Sequence, residues 1–284
     1  MKIINDNGKF EREFENKIKR DIGKYKMFEK KDRIVVALSG GKDSTTVLYI
    51  LHKEGYNVEG LMIDLELGEW SKKHKENMEN FCKKLGVKFH IIDLRKELGS
   101  GICFIKQVVK ERKNLSGCTV CGVIKKWLLN KWAKKLKATK LVTGHNLDDE
   151  THTVLMNFLK GNLLLGVNSK PLTGQPREGF VQRVKPLFFV DEEEIRKYSK
   201  MKNFPVLYEK CPCAFGTYRI ETRHWMNSLQ LSTKEKLEIV QNFQKIIPKL
   251  AKKQGEREMR ECKFCSEPTN HEVCNACQIL GILK

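Results

Sequence analysis

The run Ser39-Gly40-Gly41-Lys42-Asp43-Ser44 gathers in six residues what a phosphate group requires. Two adjacent glycines let the backbone turn sharply and approach a ligand closely. At the start of a helix, the amide N–H groups then face an anion. Lys42 adds positive charge, Ser39 and Ser44 add hydroxyl donors, and Asp43 can orient the loop or a bound cation. The spacing is not the Walker pattern, whose glycines lie further apart before Gly-Lys-Ser/Thr. A second acidic run, Gly144-His145-Asn146-Leu147-Asp148-Asp149-Glu150, also opens a helix. Three acids there can act as helix-dipole partners. Beside a nucleotide, Asp148 and Asp149 have a further use in holding Mg²⁺ or acting on a target base.

The cysteines form the other chemical group. Cys118 and Cys121 make a CxxC pair ahead of a helix expected over 123–137, and Cys211-Pro212-Cys213 follows about ninety residues later. Such a pair can be a redox couple, half a zinc site or part of an iron–sulfur site. Cys118, Cys121 and Cys211 supply three thiolates, and three ligands on a cubane cluster leave one iron open. Near the C-terminus, Cys262, Cys265, Cys274 and Cys277 stand as two CxxC knuckles eight residues apart. That pattern suits tetrahedral zinc, with rubredoxin-type iron as the competing metal, and His271 between the knuckles is not needed as a ligand. Cys82, Cys103 and Cys213 have no assigned task, Cys213 being a spare thiol or an alternative ligand.

These residues need a scaffold, and the apolar pattern supplies one. Phe10, Phe14, Ile18 and Ile22 recur every four residues, as on one face of an N-terminal helix. Short apolar strands are expected at 34–38, 58–65, 89–94 and 141–143, alternating with helices such as that marked by Met78, Phe81, Cys82 and Leu85. Strands apolar on both faces imply a parallel sheet covered on both sides. In open α/β sheets the ligand edge is the C-terminal one, where both 39–44 and 144–150 lie. Asp191 with Glu194 has capping-box spacing for a helix over 192–202. A Pro-containing strand ends near Tyr208, residues 234–252 read as a helix broken late by Pro248, and 254–256 is a polar joint.

Composition narrows the class. A chain of 284 residues with 40% hydrophobic content buries a sizeable core and is not disordered. No apolar run approaches the roughly 20 residues needed to span a bilayer, and the N-terminus has no signal-peptide core. A cytoplasmic location is therefore expected, where thiols are reduced and paired cysteines read as metal ligands or redox groups. The net charge of +19 favours a polyanionic partner. Lys125, Lys126, Lys131, Lys134, Lys135, Lys137 and Lys140, with Trp127 and Trp132 between them, offer either a phosphate-binding face or a solvated helix face with core tryptophans. Arg219, Arg223 and His224 lie just beyond the second cysteine group, and the sequence does not decide between contact with a nucleic acid and support of the sheet edge.

The SGGKDS run looks like the SGGxDS signature of the PP-loop ATP pyrophosphatases. Together with Cys118-x-x-Cys121-Gly122-x-x-Lys125, GHNLDDE, Glu209-Lys210-Cys211-Pro212 and the C-terminal knuckles, it resembles the TtuA family of tRNA 2-thiouridine synthetases from about Arg33 to Leu283. The resemblance implies a Rossmann-like PP-loop α/β fold over 31–254, followed by a zinc ribbon over 255–284; the preceding segment, 1–30, reads as helical from its own periodicity. It implies ATP over Ala37, Leu38, Ser39, Gly40, Gly41, Lys42, Asp43 and Ser44, with adenine near Leu38, Ile63 and Gly144 and with Lys125 contributing. It also implies Mg²⁺, a [4Fe-4S] cluster on Cys118, Cys121 and Cys211, Zn²⁺ on the ribbon, and a catalytic Asp149. The reaction it implies adenylates the uridine C2 oxygen and replaces it with sulfur carried as hydrosulfide on the open iron; a persulfide on Cys121 or Cys211 is the competing route. The family's partners are tRNA, a sulfur donor (sulfide or a ubiquitin-like protein with a C-terminal thiocarboxylate) and often a second copy in a homodimer. TtuA-like proteins commonly carry an N-terminal zinc ribbon with early CxxC pairs, whereas here the first cysteine is Cys82 and a helix stands in that place. Two alternatives stay open: another PP-loop enzyme, such as an amide-forming or 2-thiocytidine synthetase, and a non-catalytic tRNA-binding zinc protein.

Overall fold

Apolar side chains every four residues make α1 (Lys2–Lys24) amphipathic, and Phe14, Ile18 and Ile22 on its inner face are each at most 5% exposed. The computed structural model describes residues 2–113, 115, 117–173, 179–209, 211–213, 218–254 and 259–281. Lys210, Gly255, Glu256 and Leu283, each part of a sequence expectation, lie outside them. After α1 come β1 (Arg33–Leu38), α2 (Lys42–Lys53), β2 (Asn57–Asp64), α3 (Glu69–Leu85) and β3 (Phe89–Asp93). Then follow α4 (Leu94–Leu98), α5 (Ile102–Lys113), α6 (Gly117–Lys135), β4 (Lys140–Val142), α7 (Leu147–Leu159) and a 3-10 turn at Leu163–Gly166. The chain continues through β5 (Leu172–Thr173), β6 (Gln182–Val184), α8 (Glu192–Met201), α9 (Tyr218–Ser228) and α10 (Thr233–Gln254). A small C-terminal unit holds β7 (Arg260–Glu261), β8 (Pro268–Thr269) and α11 (Asn275–Gly281).

The six-stranded sheet has the order β3-β2-β1-β4-β6-β5 and is parallel except for β5, which pairs antiparallel with β6. Ile34 is in register with Val58 on one side and Lys140 on the other. Alternation along β1 divides the core. Ile34, Val36 and Leu38 join Phe14, Val47, Met78 and Tyr198 on one face, while Val35 packs with Leu61, Ile105, Ile124 and Leu128 on the other. The central strands are thus buried on both sides, as the apolar runs predict.

Three expectations on local structure need correction. The helix expected from 123 begins at Gly117, so Cys118 and Cys121 sit in its first turns. Val120, Ile124 and Leu128, all fully buried at i, i+4 and i+8, extend the apolar face one turn earlier. No strand forms over 203–209; Phe204 and Val206 are buried, but the Val206 amide donates to the Phe204 carbonyl and not to a neighbouring strand. Pro248 does not break α10, which runs on to Gln254. Phe243 and Ile247 anchor it in a core patch with Val154, and that burial offsets the one backbone hydrogen bond a proline removes.

Helix α1 is part of the main core and not a loose extension. Phe14 stacks on Tyr198 of α8 at 4.5 Å, and the Tyr198 hydroxyl donates to Glu15. Phe14→Ala is therefore expected to destabilise the whole chain by about 3–5 kcal/mol, measured as a lower denaturant midpoint. An unchanged midpoint would mean that α1 is dispensable to the core.

Candidate active site

The phosphate loop lies between β1 and α2, at the C-terminal edge of the sheet. Gly40 takes φ +78°, a conformation suited to glycine, and a side chain there would overlap the ring of buried His74. The loop's hydroxyls close it on itself. Ser44 Oγ accepts from the Ser39 amide at 3.1 Å and lies 3.2 Å from Ser39 Oγ, while Thr45 Oγ1 donates to the Gly41 carbonyl at 3.0 Å. The two serines therefore shape the loop in addition to offering donors. The first-turn amides of α2 have no intrahelical acceptors, which leaves an anion cradle at its N-terminus.

The second motif meets the first across the sheet edge. Gly144 permits this, because a Cβ there would lie 2.6 Å from the Ser44 amide nitrogen. Asn146 caps α7 by accepting from the Asp149 amide, and its own side-chain amide donates to Asp43 at 3.0 Å. Asp149 completes the capping box, so it also serves the helix start. Asp148 is committed elsewhere, accepting from the Glu192 amide at 2.8 Å and pairing with Lys236 at 2.6 Å. Burial pushes the Asp43 carboxyl up, and the charge of Asp149 adds to this, against the pull of Lys42 and the Asn146 amide.

Lys42 is itself buried. Its ammonium lies 3.1 Å from Asp43 and 2.8 Å from Glu192. Burial disfavours its charge, but these two carboxylates overcome that and hold its pKa above the usual lysine value. Glu192, at the start of α8, also accepts from Arg223 of α9 at 2.7 Å. Burial opposes the ionised carboxylate, yet Lys42 and Arg223 hold its pKa at about 2. Sequence reading assigned Glu192 no role, since it stands beside a capping box whose acids suit a helix start. Of the residues expected around adenine, Leu38 turns its side chain into the core beside Gly60 and Ile63 is half-buried on the other face of the sheet, as is Ala37, expected only to line the ATP site.

The two cysteine segments lie side by side. Lys106 of α5 packs against Gly117, immediately before Cys118, and its ammonium donates to the Cys213 carbonyl at 3.2 Å. Cys118, Cys121 and Cys211 are each partly exposed. Among the described residues, only the ribbon cysteines place all their donor atoms within 4.8 Å of one another, the spacing a single ion requires. Cys213 forms a disulfide with Cys103 of α5, contrary to the expectation that paired cysteines are not disulfides. Lys125 lies one turn beyond Cys121, half-buried, and no hydrogen bond or ion pair among the described residues joins it to the phosphate loop. Trp127 and Trp132 are partly buried and pack against the core, and Lys131 and Lys134 of the basic run pair with Glu97 and Glu267.

Cys262, Cys265, Cys274 and Cys277 converge, with Cys265 Sγ 3.7 Å from Cys274 Sγ. Tetrahedral zinc with bonds of about 2.3 Å places its sulfurs about 3.8 Å apart, so the donor set fits. Cys262 Sγ accepts the Cys274 amide at 3.3 Å. Burial works against its thiolate, but backbone amides prevail and lower its pKa to about 6, whereas burial pushes Cys274 and Cys277 up. The unit rests on α6: Val123 and Trp127 pack against the cysteines, and buried Glu267 takes both Lys134 and the Asn130 amide.

Comparison with known proteins places this geometry in context. The profile of the PP-loop domain matches residues 9–208. The tRNA-5-methyluridine(54) 2-sulfurtransferase of Pyrococcus horikoshii is 35% identical over 277 residues, which span 97% of this chain and 87% of that protein. The protein of the same description from Thermotoga maritima is 32% identical over 268 residues, covering 93% and 86%. Among solved structures, the U34-tRNA thiolase NcsA from Methanococcus maripaludis, determined with its [4Fe-4S] cluster, is similar at a TM-score of 0.80 and 25% identity. That match covers 96% of this chain and 88% of the other.

Proposed function

The chain belongs to the PP-loop family and, within it, to the TtuA group of tRNA 2-thiouridine synthetases, and we propose that it replaces the C2 oxygen of a tRNA uridine with sulfur in an ATP-dependent reaction. The observation that supports this most is the juxtaposition of Lys42, Asp43 and the Asn146–Asp149 cap at one sheet edge. ATP lies with its triphosphate over residues 39–44. The uridine C2 oxygen attacks the α-phosphorus, the bond to the β-phosphate oxygen breaks, and pyrophosphate leaves. Charge that develops on the phosphates is met by Lys42, Lys125 and the α2 amides. Asp149 takes the N3 proton as C2–O becomes a single bond. A sulfur nucleophile then adds at C2 and AMP departs with the oxygen, a far better leaving group than oxide.

The cofactors follow from the donor sets. Asp43 and Asp149 are carboxylates close enough to repel, and they would hold Mg²⁺ beside the phosphates. Three thiolates on adjacent segments fit a [4Fe-4S] cluster bound by Cys118, Cys121 and Cys211; when bound, it supplies an iron free of protein ligand for the sulfur source. Cys262, Cys265, Cys274 and Cys277 would hold zinc. The sulfur donor is sulfide or a thiocarboxylated protein. No described helix is long and apolar enough to cross a membrane, and we place the reaction in the cytoplasm. A homodimer would cover exposed Phe158 and Leu165. Between the two tRNA positions named for its relatives, the higher identity favours 54 over 34.

The test is anaerobic reconstitution with iron and sulfide, then incubation with ATP, Mg²⁺, sulfide and unmodified tRNA. The expected products are AMP, pyrophosphate and 2-thiouridine, mapped by nuclease digestion and mass spectrometry. Sulfur appearing in cytidine would replace this reading with a 2-thiocytidine synthetase. Absence of tRNA-dependent AMP would favour a binding protein.

A further inference from the structure

Lys42 and Arg223 are far apart in sequence, yet they share one carboxylate. Glu192 gives Oε1 to Lys42 at 2.8 Å and Oε2 to Arg223 at 2.7 Å. Its backbone is fixed as well, since the Glu192 amide donates to Asp148, which Lys236 of α10 holds. An ammonium has three donors, and Asp43 and Glu192 occupy two of those on Lys42. The third remains for a phosphate oxygen. Arg223 has five donors in a planar fork, and its side chain is 44% exposed. Of its N–H groups, only Nη2 meets a protein acceptor among the described residues. Helix α9 packs on α7, and the charges of Asp148 and Asp149 act on Arg223 together with that of Glu192, so it borders the nucleotide edge.

Building on the ATP-dependent reaction above, we propose that Glu192 is a positioning residue that fixes Lys42 and Arg223 as a pair of cations directed at the triphosphate. A lone buried carboxylate beside ATP would repel it. Bridged by two cations, Glu192 becomes the negative centre of a unit with net positive charge. The unit spans three helices, α2, α8 and α9.

The test compares wild type, Glu192→Gln, Arg223→Ala and the double variant. Both the equilibrium affinity for ATP and the kcat and KM of tRNA-dependent AMP release are measured. Glutamine keeps the size and the backbone hydrogen bond but loses the charge that holds two cations. Each single variant is expected to weaken ATP affinity and raise its KM by about tenfold, with a further fall in kcat. The double variant should be less than about twofold worse than either single, because both remove one unit. A merely structural role would lower the active fraction, reducing kcat with ATP affinity unchanged, and that result overturns the proposal. So do additive losses. Should Glu192→Gln not fold, Arg223→Lys gives the same reading: charge is kept, reach is lost, and ATP affinity still falls. A wild-type protein that binds ATP but makes no 2-thiouridine would sink the proposed reaction while the affinity test still decides on Glu192.

Discussion

Alanine at Cys118, Cys121 and Cys211 together is expected to lower 2-thiouridine formation by more than about a hundredfold, since loss of metal ligands is at least as damaging as loss of their outer partners. ATP affinity should stay within about twofold, because Lys42 is held by Asp43 and Glu192 rather than by the cysteine segments. The visible absorbance of the reconstituted cluster should vanish in the same variant. Cys213→Ser is the contrasting case. Cys213 is paired with Cys103 and thereby held from its neighbour's site, so its loss should leave the cluster absorbance in place. Full thiolation by the triple variant would eliminate the cluster from the reaction. Loss of absorbance in Cys213→Ser would make Cys213 a ligand.

Which parts of this site could be read from residues alone follows from distance along the chain. The phosphate loop is six contiguous residues whose glycines, lysine and serines act within one turn, and the structure uses them within that turn. Gly144 carried the same kind of signal: a glycine at a strand end, where a neighbouring backbone leaves no space for a Cβ. The four ribbon cysteines were legible because CxxC spacing is itself the geometry of a knuckle. The parallel sheet was legible because a strand buried on both faces has no polar alternation to hide it.

What escaped was separated in sequence or doubly employed. Glu192 meets Lys42 across 150 residues, and no local pattern reports such a pairing. It also stands in an acidic helix start, an ordinary feature that accounts for three glutamates without a ligand. Asp148 was matched with Asp149 as an active carboxylate, yet Lys236, which lies near the start of α10 and had no reason to be singled out, takes it up. The Cys103–Cys213 pair spans 110 residues and contradicts a rule about compartments that holds on average, not for each pair. The start of α6 was misjudged by two turns because Gly117 and Thr119 weigh against a helix, while fully buried Val120 outweighs them through packing.

Removing the metal from Cys262, Cys265, Cys274 and Cys277 should affect far more than the last turn of chain. The ribbon's core is the four sulfurs plus Ala276, Val273 and the two α6 side chains Val123 and Trp127, too little to hold without metal. Structural zinc in isolated fingers contributes apparent binding energies of about 10–16 kcal/mol at pH 7, so the stripped unit is expected to unfold. Unfolding takes Glu267 away from Asn130 and Lys134, and strips Ile279 from the core that holds Ile124 and Leu128. Helix α6 would then lose its outer cover along the length that carries Cys118 and Cys121 at its start. The expected result for a Cys262→Ser, Cys274→Ser variant is a thermal midpoint lowered by several degrees and thiolation reduced by about tenfold or more, with ATP affinity unchanged. Acid should mimic the variant. Metal binding needs thiolates; backbone amides favour that of Cys262, ionised above about 6, while burial keeps Cys274 and Cys277 protonated until metal displaces their protons. Affinity for the metal therefore falls as pH falls, most steeply once Cys262 itself protonates. A stripped protein with the same midpoint and the same thiolation rate would show that α6 stands without the ribbon, and would confine the tetrathiolate to a role outside the active centre.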